Sequence, residues 1–316
     1  MQVLPEGFRV GHWTNVNSVT GCTVILCPPK CVGGCEVRGS SPGSREISLL
    51  ASDKTMQEVH ALVLAGGSAY GLAAADGVMK YLEEREIGYQ TPWVRVPIVP
   101  AAVIFDLNIG SRSVRPDAES GYMACKAAET GELMQGTVGA GTGATVGKWA
   151  GWDTWMKGGF GVSMHSRDSL VVSAVAVVNA IGDVLEESGK ILAGARSHDG
   201  KWLAELDPFR SFARSKPVLT ANTTLVAILT NARLSKVEAN RLAQRAHNGM
   251  ARAIKPVHTS FDGDAAFGLV SGLVEASFDL VAEMGADAVS EAIRSGIRNA
   301  TSLEGVPAYR DMKPGA

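Results

Sequence analysis

No hydrophobic run in the 316 residues is long enough to cross a membrane as a helix. The longest apolar stretch, Leu170 to Val178, spans nine residues with Ser173 inside it, against a requirement of about 20. An excess of one charge is lacking too. Lys and Arg number 30 and Asp and Glu 32, a formal net charge of -2. Chains that live on nucleic acid or anionic lipid carry a basic surplus, so neither partner is expected. Charged residues are only 20 % and hydrophobic ones 46 %, which excludes disorder and supplies a large core. The opening MQVLPEGFRVGHW has no basic segment followed by an apolar one, so a cytoplasmic protein is expected. Glycine is plentiful, 36 against 13 prolines and without a collagen period, which implies many tight turns or close backbone approaches.

Four of the five cysteines, Cys22, Cys27, Cys31 and Cys35, crowd into TGCTVILCPPKCVGGCEVRG. Their spacing lacks the two tight pairs across a longer loop that mark a zinc site. The segment reads as a strand, a Pro-Pro turn and a second strand, with small thiols on alternating faces. No metal and no organic cofactor is expected. A metal-binding regulator built on this cluster is a rival reading.

HALVLAGG (60–67) reads as a buried strand, and 68–86 as a helix capped by Ser68. VPIVPAAVIFDL (96–107) is a strand candidate, and 119–130 a short helix. Residues 158–194 read as β throughout, whereas 195–221 has weak periodicity and reads as a surface excursion. TTLVAILTN (223–231) is a strand of branched residues. Residues 234–254 form an amphipathic helix with a capping box from Ser235 and Glu238. A strand at 264–272 and a closing helix at 277–299 follow, the helix laying its apolar face on the protein's own sheet. Strands and helices cluster rather than alternate, which favours a layered α+β fold.

GTGATVGKW lacks both the first glycine and the final Ser/Thr of a phosphate-binding loop. Gly139, Gly141 and Ala144 fit a dinucleotide fingerprint, but no long helix follows. No serine sits in a G-x-S-x-G elbow, and His247 and His258 read as structural. Asp262-Gly263-Asp264 starts like a calcium loop and then supplies no further oxygen ligands.

What remains is Asn222-Thr223-Thr224, opening a strand, and Asp262 and Asp264, heading the next. If the helix 234–254 crosses between neighbouring strands, both starts lie side by side, with two carboxylates near the Thr223 hydroxyl. Ordinary β-branched packing is the plain reading of Thr223. The chemical reading is sharper. Cleavage of the Asn222–Thr223 bond would free an α-amine of pKa about 7.7–8.0, so one residue would hold a nucleophile and its own base.

At these residues the sequence resembles the self-processing N-terminal-nucleophile hydrolases: the DmpA-type aminopeptidase–esterases, the β-aminopeptidases and the 6-aminohexanoate-oligomer (nylon) hydrolases. The likeness runs through NTTLVAILTN, FDGDAAF, LAGGSAYGLAAADGV (64–78), VGAGTGATVGK (138–148), KGGFG (157–161) and VVNAIGD (177–183). It implies a four-layer αββα sandwich, a single domain over 1–316, cut into an α chain 1–222 and a β chain 223–316. A homotetramer of such units is also implied. Thr223 matches the nucleophile, Asp262 and Asp264 its acidic partners, and Asn179 the amide that donates to the oxyanion. Lys148 matches a cation beside the nucleophile, and Tyr70 a tyrosine lining the site. The aminopeptidase branch usually carries serine at the nucleophile and Ser-x-Glu downstream. Threonine with two aspartates resembles the nylon-oligomer branch and implies an amidase for ω-amino-acid oligomers. The alternative is an aminopeptidase or esterase releasing N-terminal α- or β-amino acids from small peptides; a non-catalytic protein on the same fold is a further rival. Trp149, Trp152 and Trp155 follow Lys148, and Trp152 or Trp155 is expected to be partly exposed at a groove or interface.

Overall fold

The computed structural model describes residues 4–151, 153–206 and 222–312. Nine strands carry the architecture: β1 (Arg9–Asn15), β2 (Thr20–Leu26), β3 (Val32–Val37), β4 (Ala61–Ala65), β5 (Ala101–Val103), β6 (Gly159–Arg167), β7 (Leu170–Asn179), β8 (Thr223–Ala232) and β9 (Ala265–Val274). The main helices are α1 (Ala74–Glu83), α2 (Ala118–Ala128), α3 (Lys236–Ala253) and α4 (Phe278–Asn299). One sheet runs β1-β2-β4-β5 with a short strand at Ser44–Arg45 on its edge, and the other runs β6-β7-β8-β9-β3.

Strand alternation builds the layers. Leu62 and Leu64 of β4 face the second sheet, meeting Val175, Val177, Leu225, Ala227 and Leu229. Their neighbours Ala61, Val63 and Ala65 pack with α1 and α2. On the second sheet Ala174, Ala176, Val226 and Ile228 pack instead with α3 and α4. Both sheets are therefore covered on both faces, which is why their strands read as unbroken apolar runs. The result is the α+β, αββα sandwich. Val281, Ala282 and Val289 of α4 are consumed in this core.

Close approach explains several glycines. A Cβ on Gly161 would lie 2.0 Å from the Ala292 carbonyl and 2.3 Å from Gly296 N, because α4 rests directly on β6. Gly161→Ala is expected to cost at least about 2 kcal/mol, towards the upper end of overpacking penalties. Chemical denaturation measures it, and an unchanged midpoint would contradict the contact.

Several expectations are corrected. Ser68 caps no α-helix: residues Ser68–Ala73 form a 3₁₀ turn, Ser68 has φ 53°, and its N–H goes to Ile104 O. That left-handed backbone is not the extended one of an N-cap, and the α-helix begins at Ala74 as a continuation of the 3₁₀ turn. The expected strand over 96–107 shrinks to Ala101–Val103, since Pro97 and Pro100 offer no N–H to a ladder. The cysteine segment forms the expected strand, Pro-Pro turn and second strand, with β2 and β3 in different sheets. All five thiols are free, and among the described residues no three His, Cys, Asp or Glu side chains converge as metal ligands. The Ser235–Glu238 capping box is present. Residues 195–206 include a bridge between Arg196 and Trp202 and a turn at Leu203–Leu206, and the remainder of the expected excursion, 207–221, lies outside the described residues. No helix among the described residues is long and apolar enough to cross a membrane.

Candidate active site

Strands β8 and β9 are parallel neighbours, with Leu225 opposite Ala265, and α3 makes the crossover between them. Their starts therefore meet at one end of the sheet, and a bridge joins Asn222 to Asp262. Asn222, Asp262 and Asp264 are all essentially excluded from solvent, and Thr223 is 4 % exposed. By strand alternation Thr223 shares the inter-sheet face of Leu225 and Ala227. Asn179, at the end of β7, is its direct cross-strand partner.

The Thr223 hydroxyl donates to the Asn222 carbonyl at 2.5 Å, the carbonyl of the bond expected to break. Asp264 Oδ1 accepts the Thr224 N–H at 2.6 Å, while its Oδ2 accepts from His258 N and meets His258 Nδ1 at 2.8 Å. Asp262 Oδ2 accepts from the Thr259 hydroxyl at 2.6 Å and its N–H at 2.9 Å. Burial first, and the Asp264 charge second, push the Asp262 carboxyl up to about 6.

Lys148 approaches from the 3₁₀ turn after Gly147 and is buried. Its ammonium donates to Asn179 Oδ1 at 2.8 Å and to Asn179 O at 3.0 Å. Thr145 N also donates to Asn179 Oδ1, so the oxygen end of this amide is occupied and Nδ2 points the other way, to Phe105 O at 3.2 Å. The amide is thus oriented as a donor. Burial lowers the Lys148 pKa to about 7, against the opposing pull of Asp262.

A second buried lysine braces the same region. Lys157 donates to Thr142 O at 2.6 Å and Ala144 O at 2.8 Å, and burial takes its pKa down to about 7. Above that value, up to the ordinary 10.5, the unfolded chain binds more protons than the folded one, so stability rises with pH across the window. The denaturation midpoint is expected to climb between about pH 7 and about pH 9, with a flatter slope in Lys157→Met. Identical slopes in the two proteins would refute this assignment.

Six of the expected site residues, Asn222, Thr223, Asn179, Lys148, Asp262 and Asp264, therefore come together. Tyr70 stands apart at the surface, 62 % exposed, with the Arg115 guanidinium 4.0 Å over its ring. It belongs to the turn tied to Ile104 through Ser68, one residue before Phe105, which holds Asn179. Trp149 is buried and donates to Asp183, lining a cavity of about 380 Å³ with Leu185, Lys190 and Pro256. Trp155 is half-buried, and Trp152 lies outside the described residues. Sequence reading missed His258 and Thr259 as the partners of the two aspartates. The signal was present in HTSFDGD, where both stand just upstream of the pair.

Residues 6–310 match the family model described as peptidase family S58. The chain is similar to an uncharacterized aminopeptidase of Mycobacterium leprae (strain TN), 38 % identical over 354 residues, covering 98 % of this chain and 93 % of that protein. It is similar to the 6-aminohexanoate-oligomer endohydrolase of Kocuria sp. (strain KY2), 34 % identical over 275 residues, 85 % of this chain and 74 % of that one. In fold it matches a solved L-aminopeptidase D-Ala-esterase/amidase from Ochrobactrum anthropi, described as a variant of the Ntn hydrolase fold. The TM-score is 0.71 at 16 % identity, over 96 % of this chain and 87 % of that chain.

Proposed function

The chain belongs to peptidase family S58 and hydrolyses amide bonds; on that premise we propose that its nucleophile is Thr223, freed by self-cleavage of the Asn222–Thr223 bond into chains 1–222 and 223–316. One observation carries the reading: the Thr223 hydroxyl already rests against the Asn222 carbonyl, 2.5 Å from its oxygen, beside two buried carboxylates. After the cut, the α-amine takes the hydroxyl proton as Oγ attacks a substrate amide, and returns it to the leaving amine. Asn179 Nδ2 supports the oxyanion, Lys148 holds Asn179 and adds positive charge, and water releases the acyl group. Asp262 and Asp264 orient the nucleophile end of β8. Tyr70 is assigned to the substrate side, at the rim. No step calls on a metal or organic cofactor.

Two substrate classes compete. Threonine with Asp262 and Asp264 favours ω-amino-acid oligomers of the 6-aminohexanoate type. The similarity to a protein named as an aminopeptidase favours release of N-terminal α- or β-amino acids. A screen on p-nitroanilides of α- and β-amino acids and on 6-aminohexanoate dimer to tetramer decides between them. Activity is expected to survive exhaustive chelation; loss with EDTA would overturn the cofactor-free mechanism. A cytoplasmic homotetramer of αβ units completes the proposal, supported by the exposed Tyr89, Trp93 and Val94 on one hairpin. Light scattering giving a stable monomer would refute that part.

A further inference from the structure

Residue 222 is gripped on both sides of its backbone. Its N–H donates to Phe261 O at 3.2 Å, and its carbonyl accepts the Gly263 N–H at 2.6 Å. The Thr223 hydroxyl also donates to that carbonyl. That hydroxyl is the nucleophile, so its hydrogen bond is lost as Oγ turns onto the carbon and negative charge grows on the oxygen. The Gly263 N–H stays on that oxygen, being fixed in the backbone. Asn179 is aimed elsewhere, its Nδ2 on Phe105 O.

We propose that the Gly263 amide is the oxyanion donor of self-cleavage, separate from Asn179, which serves turnover; the inference rests on Thr223 being the nucleophile. In the step, Thr223 Oγ bonds to the Asn222 carbonyl carbon and its proton passes to the Thr223 nitrogen. The C–N bond breaks, leaving an ester of Asn222 on Oγ and a free amine. Water then hydrolyses the ester, giving the Asn222 carboxylate and restoring the hydroxyl. Charge develops on the Asn222 oxygen in both steps, within hydrogen-bond reach of Gly263 N at a buried position, where a fixed donor is most effective.

The same geometry says why position 263 is glycine. A Cβ there would lie 2.7 Å from Thr223 Oγ1 and 2.5 Å from Ser41 O. Any side chain would push the nucleophile off the scissile carbonyl or lift the segment around Ser41, whose N–H is bound to Asp262 O.

The test removes the donor without adding bulk. Cell-free translation placing glycolic acid at 263 replaces the N–H by an ester oxygen. Self-cleavage is followed by denaturing gel and mass spectrometry, beside wild type, Asn179→Ala and Thr223→Ala. The glycolyl protein is expected to cut about 10²–10³-fold more slowly, whereas Asn179→Ala loses turnover and still cuts itself faster than the glycolyl protein. Wild-type cutting by the glycolyl protein overturns the Gly263 assignment and leaves Thr223 standing. Failure of wild type to cut, or cutting by Thr223→Ala, overturns the Thr223 reading itself. A measurement that changes nothing at 263 covers a misfolded variant: in uncut Thr223→Ala, a through-hydrogen-bond coupling between Gly263 ¹⁵N and the Asn222 carbonyl ¹³C is expected. Its absence would also overturn the assignment.

Discussion

Thr223→Ala is expected to remain one uncut chain of 33.1 kDa, with amide hydrolysis reduced by roughly 10⁴-fold or more. The size follows from the double duty given to this residue. In the proposed mechanism its hydroxyl starts self-cleavage and its freed amine then serves as base, so alanine would remove the nucleophile and prevent the base from forming. Thr223→Ser keeps both groups and is expected to cut and turn over. Mass spectrometry of the purified variants, with a p-nitroanilide assay, reads both outcomes. Full activity in Thr223→Ala would sink the mechanism, and so would an active wild type that is never cut.

Lys148→Met is the second large effect. Methionine fills a similar volume but leaves Asn179 O and Oδ1 without their charged donor, so the amide is held by Thr145 N and Phe105 O alone and the positive charge beside it is gone. A fall in kcat of about 10²–10³-fold is expected, with little change in KM, as for the loss of one oxyanion contact. The pH profile supplies a readout that disordered packing would not. The Lys148 charge holds the Asp262 pKa down, so without it the carboxyl rises beyond about 6. If ionised Asp262 is required, the acid limb of kcat/KM moves to higher pH in the variant. An unmoved limb together with unchanged kcat would remove Lys148 from the site.

Much of the architecture was legible because it rests on local rules. The run TTLVAILTN, the capping box at Ser235 and Glu238, and the amphipathic helix after it are written in adjacent residues. The pairing of Asp262 and Asp264 with Thr223 needed one inference, that α3 crosses between neighbouring parallel strands, and β8 and β9 do lie that way. Ser68 misled because Ser at the head of an apolar periodic stretch is a cap signal, while its N–H is tied to the distant Ile104 carbonyl and its backbone is left-handed. The cysteine segment was legible as strand, Pro-Pro turn and second strand, while its passage there from one sheet to the other was not.

The sequence by itself determined the class of fold, the strand that opens at Thr223 and the residue types able to supply a nucleophile and carboxylates. Those properties follow from periodicity, capping and side-chain chemistry, which need no distant partner. Tertiary structure alone decided which groups touch. Lys148 meets Asn179 across 31 positions, and Gly263 meets Asn222 across the β8–β9 crossover. It also decided that Asp262 is pushed up and Lys148 pushed down, because both shifts come first from burial. Burial depends on two sheets closing over the site, and no spacing along the chain records that.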